Sequence, residues 1–441
     1  MYYTDTYIIE SPDTPLTADL LLEWLAQHER AGRRYRMLKD FYEGNHSILR
    51  QPKKEDYKPD NRIVANYAKY IVDTLNGFFI GIPVKTVCSD KTASVRMEEI
   101  QKHNDQDDNN AELSKICSIY GRGCELLYTD EDAEVCITYL TPLEGFVVYD
   151  DSIARKPLYA VRYYWDKYSV MHGSIYTREL EIPFTDKDGL HFLEETPHYF
   201  DGVPMIEYIE NEECTGAFEH VISQIEAYSK AISEKANDVD YFADAYLKIL
   251  GATLDEESMQ QLRRNRIINL TSEITDQLVV DFLQKPSADT TQENLLERLQ
   301  KDIFTISMVA NISDKEFGNA TGVALAYKLL AMSNLCAMKS RKFASGMNQR
   351  WKLIASHPAS KLPADCWKAL EYRFTPNVPK NLLEEVQTAA QMSGITSRET
   401  QLKVISAVED VQQEMDQIQL ENGGIPEDAM RTERVTDEHT K

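Results

Sequence analysis

The sequence predicts an α+β protein that is mainly helical. Two long stretches, about 217–250 and 290–357, place apolar residues at three- and four-residue steps, the spacing of a buried helix face. Between Val84 and about Glu210, the chain instead consists of short β-branched and aromatic runs separated by turn residues. With 441 residues and 42% hydrophobic content, the chain is large enough for two or three domains with a substantial core.

The N-terminal region predicts two helices followed by a strand-rich domain. Thr17 is a suitable N-cap for a helix that runs to about Tyr42. A second apolar helix covers 63–79 and is stopped by Gly81-Ile82-Pro83. We expect antiparallel pairing in the following domain, which contains one helical segment at about 93–120. Its predicted strands are 125–128, 135–139, 146–149, 158–165, 174–177 and 191–193.

Long helices dominate the middle of the chain. The first is predicted over 217–250, and the mixed segment 251–286 reads as a small α/β insertion with strands at 266–270 and 278–283. The next helix, in the range 287–312, opens with Thr290-Thr-Gln-Glu293, which has capping-box spacing. The predicted buried stripe of the first helix contains Ile222, Ile225, Ser229, Ile232, Ala236, Val239, Ala243 and Tyr246, and that of the second contains Leu296, Leu299, Ile303, Ile306 and Ala310.

A polar linker, 313–322, separates these helices from a further long helix that ends near His357. Ser345-Gly346 lies inside this helix and is a natural place for a kink. Beyond Pro358, residues 372–375 can pair as a strand, and two helices are predicted at about 380–393 and 397–420. The remainder, 423–441, is polar and acidic, and we predict that it is disordered.

Composition restricts the possible functions. A net charge of −24 repels nucleic-acid phosphates and attracts basic partners, so ordinary DNA-backbone binding is disfavoured. The seven cysteines are scattered without a C-x-x-C pair, which indicates buried thiols in a reducing compartment and no metal site. The sequence shows no secretory signal pattern and no apolar run long enough for a membrane helix, so we expect a soluble intracellular protein.

The sequence contains none of the common catalytic motifs. Neither a P-loop, a zincin motif nor a nucleophile elbow is present, and Gly121-Arg-Gly123 precedes a strand instead of the helix that dinucleotide binding needs. Residues 105–110 resemble a calcium loop without its glycine and bidentate glutamate, so a solvated acidic loop is expected. His191 beside Glu194 and Glu195 reads as a solvated side chain. We therefore expect no catalytic activity, no cofactor and no metal.

One basic cluster stands out in this acidic sequence. It consists of Arg263, Arg264 and Arg266, within the predicted insertion. These arginines can dock an acidic partner, or they can pair with the nearby acidic run 255–257. The sequence leaves both alternatives open.

Several segments together resemble the portal proteins of long-tailed bacteriophages. They are Tyr42-Glu-Gly-Asn-His46, Arg62-Ile-Val-Ala-Asn66 with Phe79-Ile-Gly-Ile-Pro83, Tyr120-Gly121 with Thr141-Pro142, 313–322, and Ser397-Arg-Glu-Thr400. The resemblance implies a ring of about twelve identical subunits at one capsid vertex. DNA is packaged through the ring and later ejected, the head-tail connector is built on it, and a separate terminase ATPase supplies the work.

The resemblance also implies a role for each segment. Residues 1–216 would form N-terminal helices and a β-rich wing, to which 323–379 would return through a long kinked helix and a strand. Helices 217–250 and 287–312 would form the stem, and 380–422 the crown. The insertion 251–286 would be the clip, placing Arg263, Arg264 and Arg266 at the surface for the terminase large subunit and the head-completion adaptor.

The linker 313–322 would be the tunnel loop that faces DNA. Its only cation is Lys315, which we expect, with Asn319, to lie nearest the DNA, unless Lys315 pairs with an acidic residue of a neighbouring loop. Gly318 and Gly322 can adopt positive φ and act as hinges. The remaining residues assigned to the channel are Asp314, Glu316 and Phe317.

The resemblance implies further partners and a location. Capsid and scaffolding proteins would contact the ring, and double-stranded DNA would pass through it without sequence recognition; no membrane is involved. The protein would reside in the virion at the portal vertex, after assembly in the host cytoplasm. The alternative is a minor head or scaffold-type interaction protein that uses similar helices without forming a channel.

Overall fold

The computed structural model describes residues 8–55, 58–243, 247–250, 279–282, 289–313, 322–378, 382–405, 407–408 and 411–423. These residues fall into two compact units. The first contains the described residues up to 313 together with 326–377, and the second contains 322–325 and the described residues from 378 onward.

Helices and strands both contribute to the first unit, in agreement with the α+β prediction. Thr17 caps the first helix as expected, since its hydroxyl accepts a hydrogen bond from the backbone N–H of Leu20 at 3.2 Å. Gly44, with φ of 86°, ends that helix. The helices are α1 (Ala18–Glu43), α2 (Tyr67–Ile80), α3 (Lys91–His103), α4 (Gln106–Tyr120), α5 (Ile222–Ala243), α6 (Asp289–Ser307) and α7 (Gly322–Ser356), whose first turn lies in the second unit.

Several helix boundaries differ from the sequence-based prediction. Helix α2 begins at Tyr67 instead of 63, and α5 begins at Ile222 instead of 217. Segment 93–120 divides into α3 and α4 because Asp105 adopts the left-handed conformation, with φ of 46°. Helix α5 ends at Ala243 and residues 247–250 form a strand, whereas a helix to Leu250 was predicted. Helix α6 ends at Ser307 instead of 312, and the next residue, Met308, has φ of 59°. Local propensity therefore located these helices but did not reveal the left-handed residues Asp105 and Met308.

Among the described residues, a seven-stranded sheet and a three-stranded sheet form the β-rich part. The strands are β1 (Ile8–Glu10), β2 (Lys85–Cys88), β3 (Arg122–Thr129), β4 (Val135–Leu140), β5 (Gly145–Asp150), β6 (Pro157–Trp165), β7 (Met171–Tyr176), β8 (Leu180–Thr185), β9 (His191–Phe192), β10 (Thr196–Pro197), β11 (Met205–Ile209), β12 (Leu247–Leu250), β13 (Val279–Phe282) and β14 (Leu370–Arg373). The larger sheet has the order β1-β5-β6-β7-β8-β10, with β9 on β8; only β1 and β5 pair in parallel, and the other pairs are antiparallel. The smaller sheet has the order β11-β3-β4, and two further pairs are β14-β2 and β12-β13.

The larger sheet is buried on both faces at β5. Val148 faces α1, where it packs with Leu21 and Trp24, while the adjacent Val147 faces the opposite side and packs with Leu126 of the three-stranded sheet. Adjacent strand residues point to opposite faces, so the run Phe146-Val-Val148 serves two cores at once. This arrangement explains why these strands read as continuous apolar runs without a polar alternation.

An extended segment, 58–66, lies along α5 and is held by the polar side chains of that helix. Ser229 and Ser233 accept hydrogen bonds from the backbone N–H groups of Ala65 and Ile63, at 3.2 and 2.9 Å, and Asn237 accepts one from Asn61 at 2.6 Å. The buried face of α5 is therefore polar at these positions; the predicted stripe contained Ser229 but neither Ser233 nor Asn237. Val239, a member of that stripe, is exposed.

In the second unit, the described residues from 382 onward form three helices where two were predicted. Ser397 caps the middle one by accepting a hydrogen bond from the backbone N–H of Thr400 at 3.3 Å. Ile405, in an extended conformation, ends it, so the predicted helix 397–420 is interrupted. The helices are α8 (Leu382–Gln391), α9 (Arg398–Val404) and α10 (Val411–Gly423).

Candidate functional site

Helices α5 and α6, which lie in the two segments assigned to the stem, pack against each other. Lys235 of α5 forms an ion pair with Glu293 of α6, and the Gln292 side chain donates a hydrogen bond to Asp238 at 3.1 Å. An aromatic cluster joins both helices to α2, since the ring of Tyr67 is edge-on to the rings of Tyr228 and Phe304, with centroids 5.1 and 5.6 Å apart. This cluster therefore holds both helices against α2.

Strand β12 follows the C-terminal end of α5, and strand β13 precedes the N-terminal end of α6. They pair antiparallel, with Leu247 opposite Phe282 and Leu250 opposite Val279. The predicted strand at 278–283 is thus confirmed. Arg263, Arg264 and Arg266 lie outside the described residues, so the structure describes the base of the predicted insertion and not its basic cluster.

The predicted tunnel loop begins at an anchored position. After the left-handed residue Met308 ends α6, the backbone N–H of Ile312 donates a hydrogen bond to the hydroxyl of Tyr70 in α2, at 2.9 Å. Gly322 is the first residue of α7. The residues between, including Asp314, Lys315, Glu316, Phe317, Gly318 and Asn319, lie outside the described part of the chain.

Helix α7 is fixed to the three-stranded sheet by a buried ion pair. Arg350 Nε donates to Glu125 Oε1 at 2.7 Å, and its Nη2 contacts the second Glu125 oxygen and donates to Asn110 Oδ1 at 2.8 Å. Burial disfavours the Arg350 charge, but the Glu125 carboxylate outweighs it and raises the pKa of Arg350 above its ordinary value. The pair is charged, and it fixes where α7 meets β3.

A second buried cation of α7 lies three turns earlier. Lys339 Nζ is 2.7 Å from Glu210 Oε2, and it donates to the Ser118 hydroxyl at 2.6 Å and to the backbone carbonyl of Ser114 at 3.2 Å. The last two residues belong to α4, so one ammonium group joins three segments of the first unit. Both cations lie in the helix that begins directly after the predicted tunnel loop.

Gly346 lies between these two ion pairs and has a packing role. A Cβ atom at this position would lie 2.4 Å from Cε1 of Tyr208, a fully buried residue of β11. The sequence suggested a kink at Ser345-Gly346. The structure shows that a residue without a side chain at 346 allows α7 to approach the Tyr208 ring closely.

The structure corrects the interpretation of residues 105–110. They form the start of α4, with Asp105 at the N-cap, instead of a solvated acidic loop. Asn110 is buried and accepts the hydrogen bond from Arg350. His191, by contrast, is exposed as expected.

Two features of this region were missed by sequence reasoning. The spacing of Ser229, Ser233 and Asn237 at four-residue steps is a detectable signal, because such residues share one helix face. The partners of Arg350 and Lys339 carry no such signal, since Glu125 and Glu210 are far away along the chain.

Comparison with known proteins assigns the family. The family model described as "Phage portal protein, SPP1 Gp6-like" matches residues 22–427. The chain belongs to this family of phage portal proteins. The portal protein of Bacillus phage SPP1 is 24% identical over 445 aligned residues, which cover 94% of this chain and 87% of that protein. The portal protein of Clostridium phage phiCD119 is 23% identical over 245 residues, covering 55% of this chain and 52% of that protein.

Family membership confirms the recognised resemblance. It gives the chain a phage portal role and a place in the virion capsid. Within the described part of this portal protein, no helix combines the length and apolar character that a bilayer crossing requires.

Two helices of this portal protein present apolar side chains to solvent. Leu295 and Ile306 of α6 are exposed and lie three turns apart on one helix face. Tyr327 and Met338 of α7 have the same spacing and are also exposed. Exposed apolar residues aligned on a helix are typical of a surface that another protein covers.

Proposed function

We propose that this portal protein forms the ring-shaped DNA channel at one capsid vertex. The terminase packages the genome through it, the genome is later ejected through it, and the head-tail connector is built on it. The observation that carries the proposal is the family match over residues 22–427. In this proposal α5 and α6 form the stem around the channel, and the terminase, not the portal, performs the chemistry.

The charge of the stem helices supports a passage for DNA. Helices α5 and α6 each contain four acidic and two basic residues, so each has a net charge of −2. Carboxylates repel phosphates, whereas a basic wall would retain DNA through counterion release. A mildly acidic wall lets DNA slide without a strong binding site.

In this proposal, the tunnel loop makes the closest contacts with the DNA. Lys315 makes a weak, replaceable contact with phosphate, Asn319 offers an amide nearby, and Gly318 and Gly322 allow the loop to change conformation as DNA moves. The anchor between Ile312 and Tyr70 sets a fixed starting point for that motion.

Neighbouring subunits cover the exposed apolar faces of α6 and α7. In a closed ring every subunit presents one surface to the next subunit and a different surface to the previous one. Burying Leu295 and Ile306 on one side, and Tyr327 and Met338 on the other, gives a heterologous contact of this type.

The clip is the docking surface in this proposal. Arg263, Arg264 and Arg266 attract acidic surfaces of the terminase large subunit during packaging and of the adaptor afterwards. Capsid and scaffolding proteins contact the outside of the ring.

The first test is the mass and symmetry of the purified protein. Twelve subunits of 50.6 kDa give a particle of about 607 kDa, measurable by native mass spectrometry, with a central hole visible in axial electron-microscopy views. A compact dimer without a hole would contradict the channel and favour a non-channel interaction protein of the capsid.

The second test addresses the tunnel loop. Deleting 313–321 is expected to leave ring assembly intact and to abolish DNA packaging in an in vitro packaging assay, and Lys315→Ala is expected to be milder. Lys187→Ala, at an exposed position between β8 and β9, is the matched control for removing a cation. Packaging at the wild-type level after the deletion would refute the loop assignment.

The third test addresses the clip. Reversing Arg263, Arg264 and Arg266 to glutamate is expected to weaken binding of terminase or adaptor without dissolving the ring. Reversal of the exposed residues Lys53, Lys167 and Lys187 changes the net charge equally and serves as the control. Equal loss of binding in both variants would show a general charge effect and remove the arginines from the docking surface.

A further inference from the structure

Three potential metal ligands meet between α3 and the β3–β4 hairpin. His103 Nε2 lies 3.5 Å from Asp130 Oδ2 and 3.8 Å from Cys136 Sγ, and the sulfur lies 3.6 Å from the same carboxylate oxygen. Among the described residues, this trio is the set of histidine, cysteine and acidic side chains whose potential ligand atoms lie close enough together, within 4.8 Å of one another, to hold a metal ion. Sequence analysis predicted no metal site and missed this group, because one ligand comes from the end of a helix and two from a hairpin.

The distances fit a tetrahedral ion. Zinc binds sulfur at about 2.3 Å and nitrogen or oxygen at about 2.0–2.1 Å, so the ligand atoms of a tetrahedral site are about 3.3–3.6 Å apart. The three observed separations lie within a few tenths of an ångström of this range. Binding would require only small side-chain adjustments.

The surrounding structure positions each ligand. Asp130 Oδ1 accepts hydrogen bonds from the backbone N–H groups of Asp132 and Glu134, at 3.0 and 2.9 Å, while Oδ2 faces the histidine and the cysteine. Asn104, which follows His103, donates to the carbonyl of Val135 at 2.9 Å and accepts from the N–H of Ile137 at 2.7 Å. These bonds fix the end of α3 against the residues on either side of Cys136. Such outer contacts are typical of metal sites.

We propose that His103, Asp130 and Cys136 bind a divalent ion of the zinc class, with solvent as the fourth ligand. A sulfur, a nitrogen and one oxygen suit zinc, whereas magnesium and calcium prefer oxygen ligands. His103 is 46% exposed, which leaves an open side for water. Binding displaces the proton of the Cys136 thiol into solvent as the sulfur–metal bond forms. The bound ion would cross-link α3 to the β3–β4 hairpin. This metal-site proposal does not depend on the proposed channel.

Cobalt is the probe for this site. The full-length protein, freed of metal with EDTA, is titrated with Co²⁺, whose bond to a thiolate gives a near-ultraviolet absorption band. We expect one ion per chain with this band, and displacement by Zn²⁺. Cys136→Ser is expected to remove the band, and His103→Gln to weaken Co²⁺ binding by at least about tenfold. Cys88→Ser, at a half-buried cysteine outside the trio, is expected to keep both properties.

A fold control separates ligand loss from misfolding. His103 is at a half-exposed helix end, so His103→Gln is expected to leave the metal-free circular dichroism spectrum and melting temperature unchanged. Added Zn²⁺ is expected to raise the melting temperature of the wild type and the Cys88 variant, and not that of the His103 variant. The absence of a thiolate band in the wild type, or its loss in Cys88→Ser with retention in Cys136→Ser, would overturn the proposal.

Discussion

Replacing Arg350 with methionine is expected to lower the free energy of unfolding by about 3–5 kcal/mol, because it leaves a buried carboxylate without its counterion. The Arg350 side chain is 0% exposed and that of Glu125 is 2% exposed, so solvent does not take over the lost contacts. The substitution also removes the hydrogen bond to Asn110 at 2.8 Å. The exposed pair of Arg178 with Asp201, whose side chains are 73% and 66% exposed, is the matched control, and Arg178→Met is expected to have a far smaller effect on stability.

Chemical denaturation of the single and double variants provides the assay. The double variant Arg350→Met with Glu125→Leu removes both charges, so it is expected to recover much of the loss seen in Arg350→Met. The reasoning would be refuted if Arg350→Met cost no more than Arg178→Met, or if the two substitutions at the buried pair were simply additive.

Two further predictions concern a glycine and a histidine. Gly346→Ala is expected to destabilise the protein by about 1–3 kcal/mol because its Cβ meets the Tyr208 ring, whereas Gly77→Ala in α2, with nothing within 4 Å, is expected to be stabilising by about 0.5–1 kcal/mol; equal effects in thermal denaturation would contradict the packing role. Burial lowers the pKa of His28 to about 4, so the unfolded chain takes up a proton below about pH 6.5 while the folded protein does not. Roughly 3 kcal/mol of stability should therefore be lost as the pH falls from 6.5 to 4, and His28→Gln should reduce this loss; identical pH profiles of the two proteins would refute it.

The helices were predictable from sequence where one face is apolar. Leu296 and Ile303 are buried as predicted, but Ile306, from the same stripe, is exposed. Periodicity identifies an apolar face, and it does not tell whether the same chain covers it. Exposure of Ile306 in the single chain is consistent with a contact that lies outside the chain.

Strand prediction failed where local composition was ambiguous. Strand β8 contains Pro183 and was missed, since proline argues against a strand although it is tolerated where its missing N–H is not needed. The run Val147-Val148 was recognised because its residues are β-branched.

The candidate site was only partly predictable. The approximate positions of α5 and α6 followed from periodicity, and strand β13 lies where a strand was expected, whereas the rest of the predicted insertion lies outside the described residues. The ion pairs of Arg350 and Lys339 depend on residues brought together by the tertiary fold, for which a single sequence contains no local pattern. The roles of the tunnel-loop and clip residues stay predictions.

The pairing of β12 with β13 has a consequence for how portal variants can be built. Leu250 and Val279 are directly opposite each other, about 5 Å apart at Cα, so the chain leaves β12 and enters β13 at one point. A two-residue hairpin turn would be long enough to join them. We therefore expect that sequences of different length can be grafted between these two strands in place of 251–278, most of the proposed clip, while the pairing of β12 with β13 is kept.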